Sequence, residues 1–77
     1  MRDKERLNNF YDVMRILHKN TFPDLRFGQL MSNFFGWLMS EKGKDLFYVE
    51  EDAMIKYFEE YCLSIMKYNE EKGGIKI

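Results

Sequence analysis

The sequence has few of the residues on which disulfides and metal sites depend. Its 77 residues include one cysteine, one histidine and one proline. Cys62 has no second cysteine to pair with, and a lone thiol without a signal peptide is typical of a reducing cytoplasm. A metal site needs several convergent ligands at matched spacing, and Cys62 and His18 are too few. We therefore expect a cytoplasmic protein without a metal or another cofactor.

Catalytic motifs are also missing from the sequence. It contains no glycine-rich phosphate loop and no serine elbow. Cys62 lies in the middle of a predicted helix, away from the cationic neighbour or helix N-terminus that activates a catalytic thiol. His18 lies near a predicted helix end, where capping or packing explains it at least as well as general base catalysis does. The sequence predicts a protein that is not an enzyme.

The chain has almost no excess of either charge, with 12 basic and 13 acidic residues and a net charge of −1. Nucleic-acid binding usually needs a basic surface that displaces counterions, so this class is disfavoured. A small nucleic-acid-associated regulator nevertheless stays open as an alternative, because the first predicted helix carries several cations among its acidic residues. These cations are Arg2, Lys4, Arg6, Arg15 and Lys19.

No uncharged run is long enough to cross a membrane. The longest, FGQLMSNFFGWLMS at residues 27–40, has fourteen residues, whereas a spanning helix needs about 20. Gln29, Ser32 and Asn33 interrupt it, and its polar side lacks the basic residues of an interfacial helix. We expect a helix that is buried on one side in the protein itself, without a membrane role.

Valine, isoleucine and threonine are scarce and never alternate over a useful length, so strands are not expected. Apolar residues instead recur at helical spacing in three segments. They predict an all-α, compact three-helix domain over residues 1–72, with residues 73–77 as a flexible tail. The predicted helices are 3–19, 24–41, which we expect to be central, and a third beginning near Glu50. Their apolar faces are Leu7, Phe10, Met14 and Leu17; Phe27, Leu30, Met31, Phe34 and Leu38; and Met54, Phe58, Tyr61, Ile65 and Tyr68.

Local signals predict where these helices begin and end. Asp24 is a candidate N-cap for the second helix, and Gly43 is a candidate C-terminal stop. The acidic run 50–52 fits the positive end of a third helix. Its residues lack the alternating spacing of a calcium loop.

Four small residues lie four positions apart along the second helix. Gly28, Ser32, Gly36 and Ser40 would form one line on its surface, with Phe35 and Trp37 at the edges. Such a line lets a second helix approach closely. Either the first or third helix fills it within the monomer, or a partner does, and the sequence leaves both alternatives open. We predict these six residues as a partner-binding surface, which also predicts a homo-oligomer such as a homodimer.

Two blocks, PDLRFGQLMSNFFG at 23–36 and DLFYVEEDAMIKYFEEY at 45–61, resemble a family of short, uncharacterised bacterial proteins. Many members are encoded by phages or prophages, and they carry a P-D-L-R-F/L-G-Q-L segment followed by F-Y-x-E-D. The resemblance covers about half of the chain. The sequence departs from the pattern in having VEED where the family usually reads I-E-D. The resemblance implies a small helical protein from a mobile element and carries no activity with it.

Both blocks are predicted helix entries, and their charges suggest a contact between them. Arg26 would pair with Glu50 or Asp52 and so hold the two corners together.

The function that we predict is a non-catalytic protein–protein interaction module. It would act by self-association or by binding a host or phage protein.

Overall fold

The computed structural model describes residues 2–71, and in this range the chain forms helices and turns without a strand. The predicted all-α three-helix domain is confirmed. The predicted tail at 73–77 lies outside the described residues. The elements in chain order are α1 (Arg6–Thr21), α2 (Phe27–Lys42), a single 3-10 turn (Leu46–Tyr48) and α3 (Glu51–Glu71).

The first helix begins later than its sequence pattern predicts. Asp3 lies in a turn before α1, where its side chain accepts a hydrogen bond from the Glu5 N–H at 3.0 Å. Its carbonyl accepts another from the Arg6 N–H at 3.2 Å. Asp3 thus supplies acceptors to N–H groups at the helix entrance that have no partner inside the helix.

The predicted N-cap of the second helix is wrong. Asp24 lies in the turn between α1 and α2, in which the Leu25 N–H donates to the Phe22 carbonyl at 3.1 Å. Arg26 occupies the cap position, with extended backbone angles. The Gln29 side chain accepts a hydrogen bond from the Arg26 N–H at 2.9 Å. A side chain from inside the first turn therefore satisfies the cap backbone, and no aspartate is required.

The predicted stop of the second helix and the predicted acidic start of the third agree with the structure. Gly43 ends α2 with a φ of 61°, in the left-handed region that favours glycine. Its N–H donates to the Met39 carbonyl at 3.0 Å. Glu51 and Asp52 lie in the first turn of α3, where negative charge is favourable beside the exposed N–H groups.

An aromatic cluster forms the centre of the core. The rings of Phe34 and Phe58 meet edge to face with their centroids 4.9 Å apart. Tyr61 packs on Phe34 at 5.7 Å and stacks on Phe22 at 5.7 Å. Phe22 directly precedes Pro23, so the connection after α1 is part of the core. The buried apolar side chains are Met14, Phe22, Leu30, Met31, Phe34, Leu38, Met54, Ile55, Phe58, Tyr61 and Cys62.

Most members of the predicted apolar faces are buried or lie against the core, but the ends of two helices are not. Phe27 is 63% exposed and Tyr68 is 54% exposed. On α2, burial starts at Leu30, one turn after Phe27. Helical spacing identifies which face of a helix turns inward, but it does not show how far along the helix the core extends.

The central position that we expected for the second helix belongs to α3, which lies against both α1 and α2. Leu30, Phe34 and Leu38 on α2 are fully buried. The backbone of α3, however, lies close to both other helices and comes closest to α1.

Candidate protein-interaction surface

The side of α2 that faces away from the core carries no charge. We call it the uncharged α2 face, and all of its residues are exposed. Charged residues are about a third of the whole chain, so their absence over more than three helical turns is unusual for a solvent-facing surface. The residues of this face are Gly28, Gln29, Ser32, Asn33, Gly36, Met39 and Ser40.

The four small residues predicted to receive a partner all lie on this side of α2. A Cβ atom built on Gly28 or Gly36 would meet no other atom within 4 Å. The Ser40 hydroxyl donates to the Trp37 carbonyl of its own helix at 3.4 Å. The sequence left open whether another helix of the same chain packs on this line of small residues. In the described part of the chain, no helix does so.

The two aromatic residues predicted at the edges of this line turn toward the core. Phe35 is half-buried and lies 5.7 Å from Phe34, centroid to centroid. Trp37 is also half-buried, and its ring lies 5.4 Å from Tyr61 and 6.3 Å from Phe34. The Lys42 ammonium lies 5.8 Å from the Trp37 ring centroid and pairs with Glu60. Trp37 thus contributes mainly to the contact between α2 and α3.

Met39 belongs to this surface although the sequence analysis did not single it out. It is 54% exposed and follows Phe35 by four residues, so the two side chains are neighbours on the helix. This spacing was the available signal. Phe35 and Met39 form an apolar ridge beside Ser32 and Gly36.

A second exposed apolar segment lies in the 3-10 turn. Phe47 is 79% exposed and Tyr48 is 80% exposed. Their rings contact each other at 4.9 Å, and the Asp45 side chain accepts from the Phe47 N–H at 3.0 Å. The turn is locally ordered by these contacts, while its aromatic rings stay in solvent.

The predicted ion pair between the two helix entries is replaced by different partners. Arg2 holds the Glu50 carboxylate with two hydrogen bonds, from Nε at 2.8 Å and from Nη2 at 2.6 Å. The hydrogen bonds from Arg2 keep the pKa of Glu50 below its ordinary value. Asp52 accepts from the neighbouring Ala53 N–H at 2.8 Å. Among the described residues, Arg26 takes part in no ion pair.

A second arginine of the N-terminal segment makes the same kind of contact. Arg6 Nε donates to Glu51 Oε1 at 2.8 Å, and this hydrogen bond lowers the pKa of Glu51. Arg6 and Arg2 are 45 and 48 residues from their partners along the chain. The start of α1 is therefore fixed to the start of α3, and Arg26 at the start of α2 takes no part in these ion pairs.

His18 and Cys62 both lie in contacts within the fold. His18 Nε2 lies 2.8 Å from the Leu25 carbonyl oxygen, which links the last turn of α1 to the following connection. Cys62 is 2% exposed, and burial raises the pKa of its thiol to about 11. The thiol is therefore protonated near neutral pH and is not activated as a nucleophile.

Among residues 2–71, no helix is both long enough and apolar enough to cross a membrane. In the same range, no three histidine, cysteine or acidic side chains are grouped so that they could hold a metal ion. Comparison of the chain with models of protein families, with curated proteins and with solved structures finds no match to any of them. The resemblance to a phage-associated family stays a prediction.

Proposed function

We propose that this protein is a non-catalytic interaction module that binds a helix of a partner protein through the uncharged α2 face. The observation that carries the proposal is that seven exposed residues of one helix lack any charge. Charged residues are depleted at the centres of protein interfaces, because a charge there loses its hydration. A helical surface that faces only solvent is usually rich in charged side chains.

The two glycines in this face support the same function. Glycine inside a helix is about 0.8–1 kcal/mol less favourable than alanine. At Gly28 and Gly36 a Cβ would meet nothing within 4 Å, so packing within the monomer gives no reason for glycine. Small side chains do allow the backbone of a second helix to come close. A partner helix would thus give both glycines a physical role.

The remaining features of the described chain support binding over catalysis. The Cys62 thiol is buried with a pKa raised to about 11, and His18 lies in a hydrogen bond with a backbone carbonyl. Cys62 and His18 are the two side chains that the sequence analysis weighed as a nucleophile and a base. Both side chains make contacts within the fold.

The alternative of a nucleic-acid-associated regulator has less support. Of the five cations of the N-terminal region, Arg2 and Arg6 are paired with Glu50 and Glu51. Phosphate contacts depend on cations that neutralise the nucleic-acid backbone. Only Lys4, Arg15 and Lys19 remain of the predicted basic set. A phage origin and a cytoplasmic location stay predictions that accompany the proposed function.

A photo-crosslinking experiment tests the interaction surface without assuming the partner. A photoreactive phenylalanine analogue replaces Met39 in the full chain, expressed in the cells from which the gene comes. The matched control carries the same analogue at Asn9, which is exposed on α1. We expect protein adducts from position 39 and not from position 9, with the adducts identified by mass spectrometry.

A substitution in the same face makes the experiment specific. Gly36→Leu places a bulky side chain where a partner backbone would come close, so it should reduce the position 39 adducts strongly. Asn9→Leu adds similar bulk elsewhere and should leave them unchanged. Circular dichroism establishes that both variants are folded. Equal adducts from positions 39 and 9, or none from position 39, would contradict the proposal.

A further inference from the structure

We infer that an open cleft between the end of α2 and the start of α3 binds an arginine side chain of a partner protein. The cleft has a volume of about 550 Å³, which is within the range of ligand sites in proteins. It shares no residue with the uncharged α2 face, so the inference goes beyond the proposed function and does not depend on it. Three features support it: an apolar floor, an exposed tyrosine ring, and two carboxylates that no cation of the described chain pairs with.

The floor of the cleft is formed by its half-buried residues, which are apolar or aromatic. These are Val49, Ala53 and Tyr57. Val49 and Tyr57 also pack against the core, so the core holds the floor in place. The hydrocarbon stem of an arginine packs on such a surface while its charged head stays near water. The floor therefore fits the stem of a long cationic side chain.

Tyr48 adds an exposed aromatic ring to the lining of the cleft. It is 80% exposed, although the 3-10 turn that carries it is ordered by the Asp45 cap. A guanidinium group stacks favourably on the face of a tyrosine ring. Tyrosine and arginine are both enriched in protein interfaces. A partner arginine would thus give this exposed ring a physical role that the monomer does not supply.

Two carboxylates of the cleft are available to a cation. Asp45 and Asp52 line it, and among residues 2–71 neither takes part in an ion pair. Each accepts a hydrogen bond from a backbone N–H, of Phe47 and of Ala53 respectively, and a carboxylate can accept several more. A guanidinium presents five N–H donors in a planar fork that suits carboxylates. The two aspartates therefore favour arginine as the occupant.

The other charges around the cleft leave it negative. Glu50 is neutralised by Arg2, which donates two hydrogen bonds to it. Lys44 also lines the cleft, but in the described chain it forms no ion pair with either aspartate. The positive end of α3 disfavours a cation, whereas the negative end of α2 at Gly43 favours one, so the two helix dipoles oppose each other. One lysine against two aspartates leaves the unpaired side chains with a net negative charge.

Peptide titration of the isotope-labelled full chain, followed by NMR, tests the occupant. The probe is the peptide acetyl-Gly-Ser-Arg-Ser-Gly-amide. The matched control peptide has citrulline in place of arginine, which keeps the shape and removes the charge. We expect the arginine peptide to shift the amide signals of residues 43–45 and 48–57 in a saturable manner. The citrulline peptide should bind at least about fivefold more weakly, because it loses the attraction to the carboxylates and to the ring.

Substitutions in the protein locate the binding site. Asp45→Asn and Asp52→Asn each remove a charge and keep an oxygen that accepts the backbone hydrogen bond, and each should weaken binding of the arginine peptide about twofold to fivefold. Glu59→Gln removes the same charge from an exposed position of α3 outside the cleft and should change the affinity less than about twofold. Ala53→Leu fills the floor and should abolish binding. Circular dichroism establishes that all four variants are folded.

The outcomes decide both the site and the occupant. Saturable binding that weakens in Asp45→Asn and Asp52→Asn supports the inference. Equal affinities for the arginine and citrulline peptides, equal losses in Asp52→Asn and Glu59→Gln, or no binding would overturn it. Equal affinity for a lysine peptide would overturn arginine as the occupant, and tighter binding of free arginine would overturn a protein as its source. The proposed function has its own test at position 39, so these failures leave it standing.

Discussion

Gly36 and Gly43 are in the same helical region for different physical reasons. Gly43 ends α2 with a φ of 61°, a conformation that side chains with a Cβ disfavour. Gly36 has no positive φ, and a Cβ there would meet nothing within 4 Å. The backbone requires glycine at position 43, whereas the isolated monomer does not require glycine at position 36.

This difference predicts opposite effects of the same substitution. Gly36→Ala should raise the free energy of unfolding by about 0.5–1 kcal/mol, because alanine loses less backbone freedom on folding. Gly43→Ala should lower it by about 1–2 kcal/mol, because of left-handed strain. Urea denaturation measures both, at a protein concentration at which the chain is monomeric. A loss of stability in Gly36→Ala would show that the monomer itself uses the missing side chain.

Two ion pairs connect the start of α1 with the start of α3. Arg2 and Arg6 bind Glu50 and Glu51, so residues before and at the start of α1 are fixed to the start of α3. Thr21 forms a hydrogen bond with Cys62, near the other end of α1. The two helices therefore run side by side in the same direction. An arginine does pair with an acidic residue at the start of α3, as predicted, but it is not Arg26.

A charge exchange distinguishes the observed pair from the predicted one. Arg6→Glu should destabilise the fold by about 0.2–1 kcal/mol, the range of partly exposed ion pairs. Adding Glu51→Arg should recover part of this loss. Arg26→Glu is the control and should have little effect on unfolding of the monomer, and Glu50→Arg should give it no rescue. Urea denaturation at low salt measures all four chains. Rescue of Arg26→Glu by Glu50→Arg would restore the predicted pairing.

The same pair predicts how the difference between variants depends on pH. Arg6 lowers the pKa of Glu51 in the folded state. The Glu51 carboxyl therefore loses its proton more readily in the folded chain than in the unfolded chain. The stabilisation is present above the ordinary glutamate pKa and is lost as pH falls through the lowered value. The native chain and Arg6→Ala should therefore differ most in free energy of unfolding near neutral pH, and this difference should disappear in acid. A difference that is unchanged in acid would rule out an electrostatic origin.

At the scale of the whole molecule, the fold depends on a small aromatic core. Phe34 is fully buried and contacts Phe58, Tyr61 and Trp37. A chain of this length buries a smaller share of its surface than a larger domain does. Its stability therefore relies on a few large side chains.

Phe34→Ala should lower the free energy of unfolding by about 3–5 kcal/mol. This is a large part of the total stability of a small domain. Phe47→Ala is the matched control, because Phe47 is 79% exposed, and it should change stability by less than about 1 kcal/mol. Thermal unfolding followed by circular dichroism compares them. Equal losses in the two variants would contradict the assignment of the core.

Helical spacing was sufficient to identify most of the inward positions of each helix. Met14, Leu30, Phe34, Leu38, Met54 and Phe58 were all predicted on apolar faces and are all buried. Spacing was not sufficient for Phe27, because burial at a helix end depends on whether another element reaches it. It was not sufficient for Trp37 either, because a large ring at the edge of a face can turn to either side.

Local sequence signals were sufficient to predict the number of helices, the glycine stop after α2 and the acidic start of α3, and they show that residues 27–40 are uncharged. These follow from local spacing, backbone preference and charge, which act within a few residues. The packing of the helices determines that Arg2 and Arg6, and not Arg26, contact the start of α3. The same packing leaves Gly28 and Gly36 facing open space. Both depend on how distant segments pack, and local physical preferences do not determine that packing.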